Sequence, residues 1–164
     1  MLRHCCATRL ALALAAILGC VGAAAASDQV PFKGRLIGEV KITPIIDPDF
    51  DVHVDISGAG NATLLGQFSV SVPHDVDRRP PPKPSVAEGT YEFTAANGDR
   101  VYAEFKGEAT LVAGVLHIVE TATITGGTGR FAGATGRFVC ERLFDPAAGT
   151  TIGYFEGTIS QPGP

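Results

Sequence analysis

The sequence predicts an all-β domain of eight antiparallel strands that close into a barrel. Three observations carry that expectation. After residue 27, apolar residues recur at every second position through most of the chain. Gly, Pro, Asn and Asp interrupt these runs at short intervals. No window holds an apolar stripe of helical period.

The strands follow a leader. Arg3 and Arg9 give a positive start, Leu10 to Val21 is an uncharged apolar run, and Ala24-Ala25-Ala26 supplies small residues before Ser27. This is the pattern of a signal peptide over residues 1–26, which leaves one domain over residues 27–164 and predicts a secreted or periplasmic product. The apolar run falls short of the roughly 20 residues a membrane-spanning helix needs, so no transmembrane segment is expected. Ile17-Leu18-Gly19-Cys20 also resembles a lipoprotein box, which would anchor the protein through Cys20. The Ala run after Cys20 suits ordinary cleavage better.

The first strand runs from Phe32 to Ile42. Its even positions (Phe32, Gly34, Leu36, Gly38, Val40, Ile42) are apolar or small, and Lys33, Arg35, Glu39 and Lys41 alternate with them. Phe50, Val52, Val54 and Ile56 form the second strand, and Phe68, Val70 and Val72 the third. Residues 73–89 read as one Pro-rich surface loop, because Pro80-Pro81-Pro82-Lys83-Pro84 removes ladder donors and favours an extended form. Tyr91-Phe93-Ala95 and Val101-Ala103-Phe105 flank Asn97-Gly98, which predicts a hairpin with a type I′ turn. Val115–Thr125, Arg137–Phe144 and Thr150–Ser160 complete the set, the last two joined through Pro146-Ala147-Ala148-Gly149. The connections leave no room for crossover helices, so pairing should be antiparallel. Closure removes exposed edges and is favoured over an open sandwich, which the same alternation permits.

Charge and cysteine content exclude several functions. Without Arg3 and Arg9, 11 basic residues stand against 17 acidic ones, a net charge of −6. Such a domain, with no basic stretch, has no electrostatic reason to hold nucleic acid. Cys5, Cys6 and Cys20 lie in the leader, so Cys140 is the mature chain's single thiol and no internal disulfide can form. His53, His74 and His117 lack metal-ligand spacing. Asp47, Asp49 and Asp51 begin like a calcium loop, but the following Gly and closing Glu are missing. No G-x-S-x-G elbow is present, and Cys140 reads as a small core residue in phase with Phe138 and Phe144. No cofactor is expected.

The most distinctive segment is Gly126-Gly127-Thr128-Gly129-Arg130-Phe131-Ala132-Gly133-Ala134-Thr135-Gly136. A dinucleotide-binding turn would need a helix after it, which Gly133, Thr135 and Gly136 oppose, and too little chain follows to complete that fold. In a β-domain the glycines permit close backbone approach, and Phe131 can plug a barrel end. The segment resembles the G-G-[ST]-G-x-F-x-G-x-x-G run of allene oxide cyclase and dirigent-like proteins, matching at Gly126, Gly127, Thr128, Gly129, Phe131, Gly133 and Gly136. Residues 94–99 and 155–160 look like exported bacterial proteins of this type that carry no assigned activity. The resemblance implies an eight-stranded calycin-like barrel able to hold an apolar or aromatic molecule, since those relatives guide lipid epoxides or phenoxy radicals. Their catalytic residues do not map onto this chain, so no catalytic residue is carried over.

Inside such a barrel, charged residues in phase with apolar ones are the candidate ligand-binding groups. Glu120 shares a face with Leu116, Ile118, Ala122 and Ile124; Arg142 shares one with Phe138, Cys140 and Phe144; Glu141 shares one with Val139 and Leu143. A charge on an apolar face must be paired or wet. Glu120 with Glu141 or Arg142, beside Phe138 and Cys140, is therefore expected to form a polar anchor or a structural ion pair. Three functions remain: a module that binds a small hydrophobic ligand or serves in the envelope or outside the cell, a cyclase- or dirigent-like enzyme, and a structural or interaction protein with a filled barrel. Nothing in the sequence specifies an oligomeric state.

Overall fold

In the computed structural model, which describes residues 28–79, 84–160 and 162–163, the chain forms a closed antiparallel β-barrel of eight strand positions. The proposed signal peptide and the lipoprotein-box Cys20 lie outside the described residues. The strands are β1 (Gln29–Pro44), β2 (Val52–Ala62), β3 (Gly66–Ser71), β4 (His74–Asp77), β5 (Ser85–Ala95), β6 (Arg100–Val112), β7 (Val115–Gly127), β8 (Gly136–Asp145) and β9 (Thr150–Ser160). β1 pairs with both β2 and β9, so the sheet has no free edge there. Among the described residues the only helical element is a 3₁₀ turn, Gly129–Phe131.

β3 and β4 share one position of the barrel, both lying between β2 and β5. Their junction is Val72-Pro73, where Pro73 has no N–H to give and its carbonyl accepts from Thr90 N at 3.1 Å. This corrects the expectation of one loop over residues 73–89. His74–Asp77 is ladder, and β5 begins at Ser85, so the connection shrinks to residues 78–84, of which 80–83 lie outside the described residues. Four residues are too few to display an alternation, and Pro73 hid them.

The predicted hairpin at Asn97-Gly98 forms, but not with a type I′ turn. Only Gly98 is left-handed (φ 89°), and the Ala95 carbonyl accepts from Gly98 N at 2.9 Å. Asn97 stays at negative φ because its amide serves locally: Oδ1 accepts from Asp99 N at 3.1 Å. The two-residue turn with both φ positive occurs instead at Ala113-Gly114 (50° and 86°), between Val112 and Val115.

The inner face follows the predicted period of two. Phe32, Phe68, Tyr91, Phe93, Phe105, Phe138 and Phe155 are buried and fill the barrel's middle. Tyr91 and Phe93 stack at 5.3 Å and 3°, while Phe32 meets Phe93 edge-on at 5.9 Å. At the end bearing residues 128–135, Phe131 and Ala134 are buried as a plug. At the opposite end the inner face is aliphatic.

Candidate functional site

Where the aromatic packing stops, an imidazole and two charged side chains occupy the interior, His74 on β4, Glu120 on β7 and Arg142 on β8, with buried Thr151 of β9 beside them. Each of the first three faces a glycine on an adjoining strand, in the registers His74–Gly89, Glu120–Gly107 and Arg142–Gly153. The glycines supply space. A Cβ on Gly107 would come within 2.6 Å of Glu120 Cγ, one on Gly153 within 2.6 Å of Arg142 Cγ, and one on Gly89 would collide with His74 Cβ. The polar cluster is thus built into the sheet by small residues across the strand.

Glu120 is 0 % exposed and Arg142 3 %. Arg142 Nε donates to Glu120 Oε2 at 2.9 Å, and Nη2 donates to Oε1 in a two-pronged bond. The Tyr91 hydroxyl also donates to Oε2. Arg142 Nη1 reaches Thr151 Oγ1 at 3.4 Å, and the Thr151 hydroxyl passes its own hydrogen to the Leu143 carbonyl at 2.9 Å. Burial alone would depress the Arg142 pKa, but the Glu120 carboxylate raises it above its usual value. Burial, reinforced by Glu120, holds the Tyr91 phenol well above its usual range. The two charges cancel within the pair, the condition under which burying them is tolerable.

Cys140 lies on the same inner face, fully buried, with its thiol pushed up to about 12 by burial and by Glu120. It is a packing residue and not a thiolate nucleophile at neutral pH. Phe138 belongs to the aromatic core. Glu141 does not join the site: it is exposed on the outside of β8, because alternation that turns Arg142 inward turns Glu141 outward. Of the five candidates, Glu120, Arg142, Phe138 and Cys140 share the interior. The Gly-rich segment plugs the opposite end, with Gly126, Gly129, Gly133 and Gly136 all at positive φ.

His74 and Tyr91 are the site residues that the sequence did not reveal. His74 lay in the run assigned to a loop, and Tyr91 looked like any inward aromatic. The His74 ring is fixed at one end, with Nδ1 2.9 Å from the Val72 carbonyl and Phe105 edge-on at 5.6 Å. A carbonyl only accepts, so Nδ1 carries the proton. Burial lowers the His74 pKa, the Val72 bond opposes that, and the Arg142 charge adds to the lowering.

Above this cluster is a cavity of about 80 Å³. Its wall is aliphatic, from Val40, Val52, Val54, Val76, Leu116 and Ile118, with Phe144 beside them; His74, Glu120 and Arg142 also line it. Larger hollows lie on the outer surface: one of about 760 Å³ along Arg35, Ile37, Ala59 and Gln67 gathers no buried polar group, and one of about 250 Å³ along His117, Val119 and Tyr154 reaches only Arg142 of the cluster.

The two described histidines with shifted acidity should respond oppositely to pH. His53, on the outer face, has Nδ1 2.6 Å from Asp75 Oδ1 and Nε2 3.4 Å from Asp55, and the Asp75 bond raises its pKa above 6.5. The stability it contributes is full below 6.5 and fades as pH climbs through its folded value. His74, held below 6.5, stays neutral when folded, so the unfolded chain gains the proton first and stability falls as pH drops below 6.5. NMR titration should give His53 a midpoint above 6.5 and His74 one below it. A shared midpoint for the two rings would refute this. No protein-family model matches the chain, and no curated protein matches it.

Proposed function

We propose that the protein is an exported, non-enzymatic binding module whose barrel takes a small apolar molecule, or one end of a longer one, into the aliphatic cup. The observation that carries this reading is the contrast inside the barrel. Aromatic rings fill the middle, Phe131 plugs one end, and among the described residues only the cup keeps an interior cavity with a nearly continuous apolar wall. On the scale in which about 150 Å³ of apolar cavity takes a benzene ring, this space suits about three or four non-hydrogen atoms, or one end of a longer molecule.

A cyclase- or dirigent-like activity, which the Gly-rich segment brings to mind, has less support. Substrate pockets usually enclose about 300–1,000 Å³, far more than this cup, and Glu120, Arg142 and Tyr91 bond chiefly to one another. A specific observation favours a second reading, that of an interaction protein. The outer face of β1, β7, β8 and β9 exposes Ile37, Val119, Val139, Leu143, Ile152 and Tyr154.

Native mass spectrometry of the purified protein tests the binding reading. A co-purified or added small apolar ligand should appear bound to the native chain and disappear in Leu116→Trp, whose indole would occupy the cup from its half-exposed wall. Thermal unfolding should show the variant folded. Absence of any adduct, or an adduct that survives in the folded variant, would leave the interaction-protein reading in its place.

A further inference from the structure

We infer that the cup selects a neutral apolar alcohol, whose hydroxyl gives its hydrogen to His74 Nε2. The inference rests on the binding reading above and adds the chemistry of the ligand's polar end. His74 is 6 % exposed and lines the cavity. Its Nδ1–H is committed to the Val72 carbonyl, which makes Nε2 the ring's acceptor. Nε2 has no hydrogen-bond partner among the described residues. Nε2 is not sealed off as Arg130 Nε is, so it takes its donor from whatever occupies the cup, and a ligand that brings none leaves it unsatisfied.

The other polar groups narrow the ligand further. Glu120 accepts from Tyr91 and twice from Arg142, so it is already satisfied. Arg142 has five N–H donors and commits three, to Glu120 and Thr151. Among the buried groups of the cup the unfilled capacity is therefore one acceptor at His74 and spare N–H at Arg142, while the Ser85 hydroxyl stands at the more accessible rim. A hydroxyl can give a hydrogen to the first and take one from the second. A ketone or ether can only accept, and a hydrocarbon does neither. A carboxylate can only accept and would bring a negative charge into a cavity whose buried ion pair already sums to zero. Arg78 and Glu108 also line the cup, and their charges oppose each other.

Three molecules that share a cyclopentyl body separate these alternatives: cyclopentanol, methylcyclopentane of nearly the same shape, and the bulkier cyclopentanecarboxylate. In chemical-shift titrations of the purified protein at neutral pH, cyclopentanol should bind roughly tenfold more tightly than methylcyclopentane, the worth of one good hydrogen bond to a buried acceptor. The carboxylate should bind more weakly than either. His74→Phe should erase the preference for the alcohol while leaving methylcyclopentane within about twofold, because the ring remains as wall. The wild-type protein gives an independent readout: the His74 Nε2 nitrogen resonance should move on saturation with cyclopentanol and stay in place with methylcyclopentane. Equal binding of alcohol and hydrocarbon, or a preference for the carboxylate, overturns the inference and leaves the cup as a purely apolar site. Failure of all three to bind overturns the binding reading with it.

Discussion

Replacing Arg142 with Met should destabilise the protein by about 3–5 kcal/mol, and adding Glu120→Leu to the same chain should restore most of that loss. The single change leaves Glu120, which is 0 % exposed, with one remaining donor, the Tyr91 hydroxyl. An uncompensated buried carboxylate is the costly outcome, costing about 3–5 kcal/mol where such pairs have been broken. The double change removes both charges and fills the same space with apolar atoms, an exchange that is often neutral or better. Recovery should stop short of complete, because Tyr91 then holds a buried hydroxyl without its acceptor, at about 1–3 kcal/mol. Tyr91→Phe added as a third change should recover that remainder. Urea unfolding of the wild type, Arg142→Met, Glu120→Leu alone, the double variant and the triple variant gives the comparison directly. If the double variant is as unstable as the sum of its parts, Glu120 and Arg142 are not coupled and the ion pair is not the organising contact of the interior.

How much of this cluster the sequence could reveal depends on whether parity or register was needed. Parity alone brings Glu120 inward with Ala122 and Ile124, and makes Glu141 and Arg142 mutually exclusive as interior residues. Phe138 and Phe144 then favour Arg142, since the residue in phase with large aromatics follows them into the core. Register is harder, because it depends on turns. Ala113-Gly114 fixes the pairing of β6 with β7, yet Ala seldom adopts positive φ and gave no turn signal. Without that register, Gly107 cannot be recognised as the gap beside Glu120, nor Gly153 as the gap beside Arg142. His74 was lost for a different reason. A four-residue strand between Pro73 and the proline run offers only His74 and Val76 as inward positions, and two residues make no pattern. Closure was favoured by the sequence and not dictated by it, because eight alternating runs with one apolar face also permit an open sandwich, whereas only a barrel leaves no edge exposed.

The opposite end should prove equally sensitive: Phe131→Ala is expected to cost about 3–5 kcal/mol, the usual range for emptying a buried aromatic site. Phe131 is 1 % exposed and sits on a 3₁₀ turn bounded by Thr128 and Ala132, so the backbone on both sides is already constrained. Its position leaves little freedom to collapse into the void. A Cβ on Gly127 would lie 2.7 Å from Phe131 Cβ, so the chain is in close contact before the turn. After the turn, Ala134 N donates to the Phe131 carbonyl at 3.0 Å. Arg130 ties the same turn to its surroundings. Its guanidinium lies 4.9 Å from the Phe131 ring centre, Nη2 donates to the Leu64 carbonyl at 2.5 Å, and Nε stands 3.5 Å from Asp99 Oδ2, within ion-pair range but outside hydrogen-bond geometry. The Arg130 carbonyl accepts from Gly163 N at 2.9 Å. One plug therefore joins the β2–β3 turn, the β5–β6 turn and the C-terminal segment, and losing the ring should loosen all three together. Hydrogen exchange in Phe131→Ala should rise at Leu65, Gly98 and Gly163 while the amides facing the cup, such as Val54, keep their protection relative to global unfolding. A cost below about 1 kcal/mol, or exchange confined to residues 128–135, would mean that Phe131 merely covers the barrel end without fastening it.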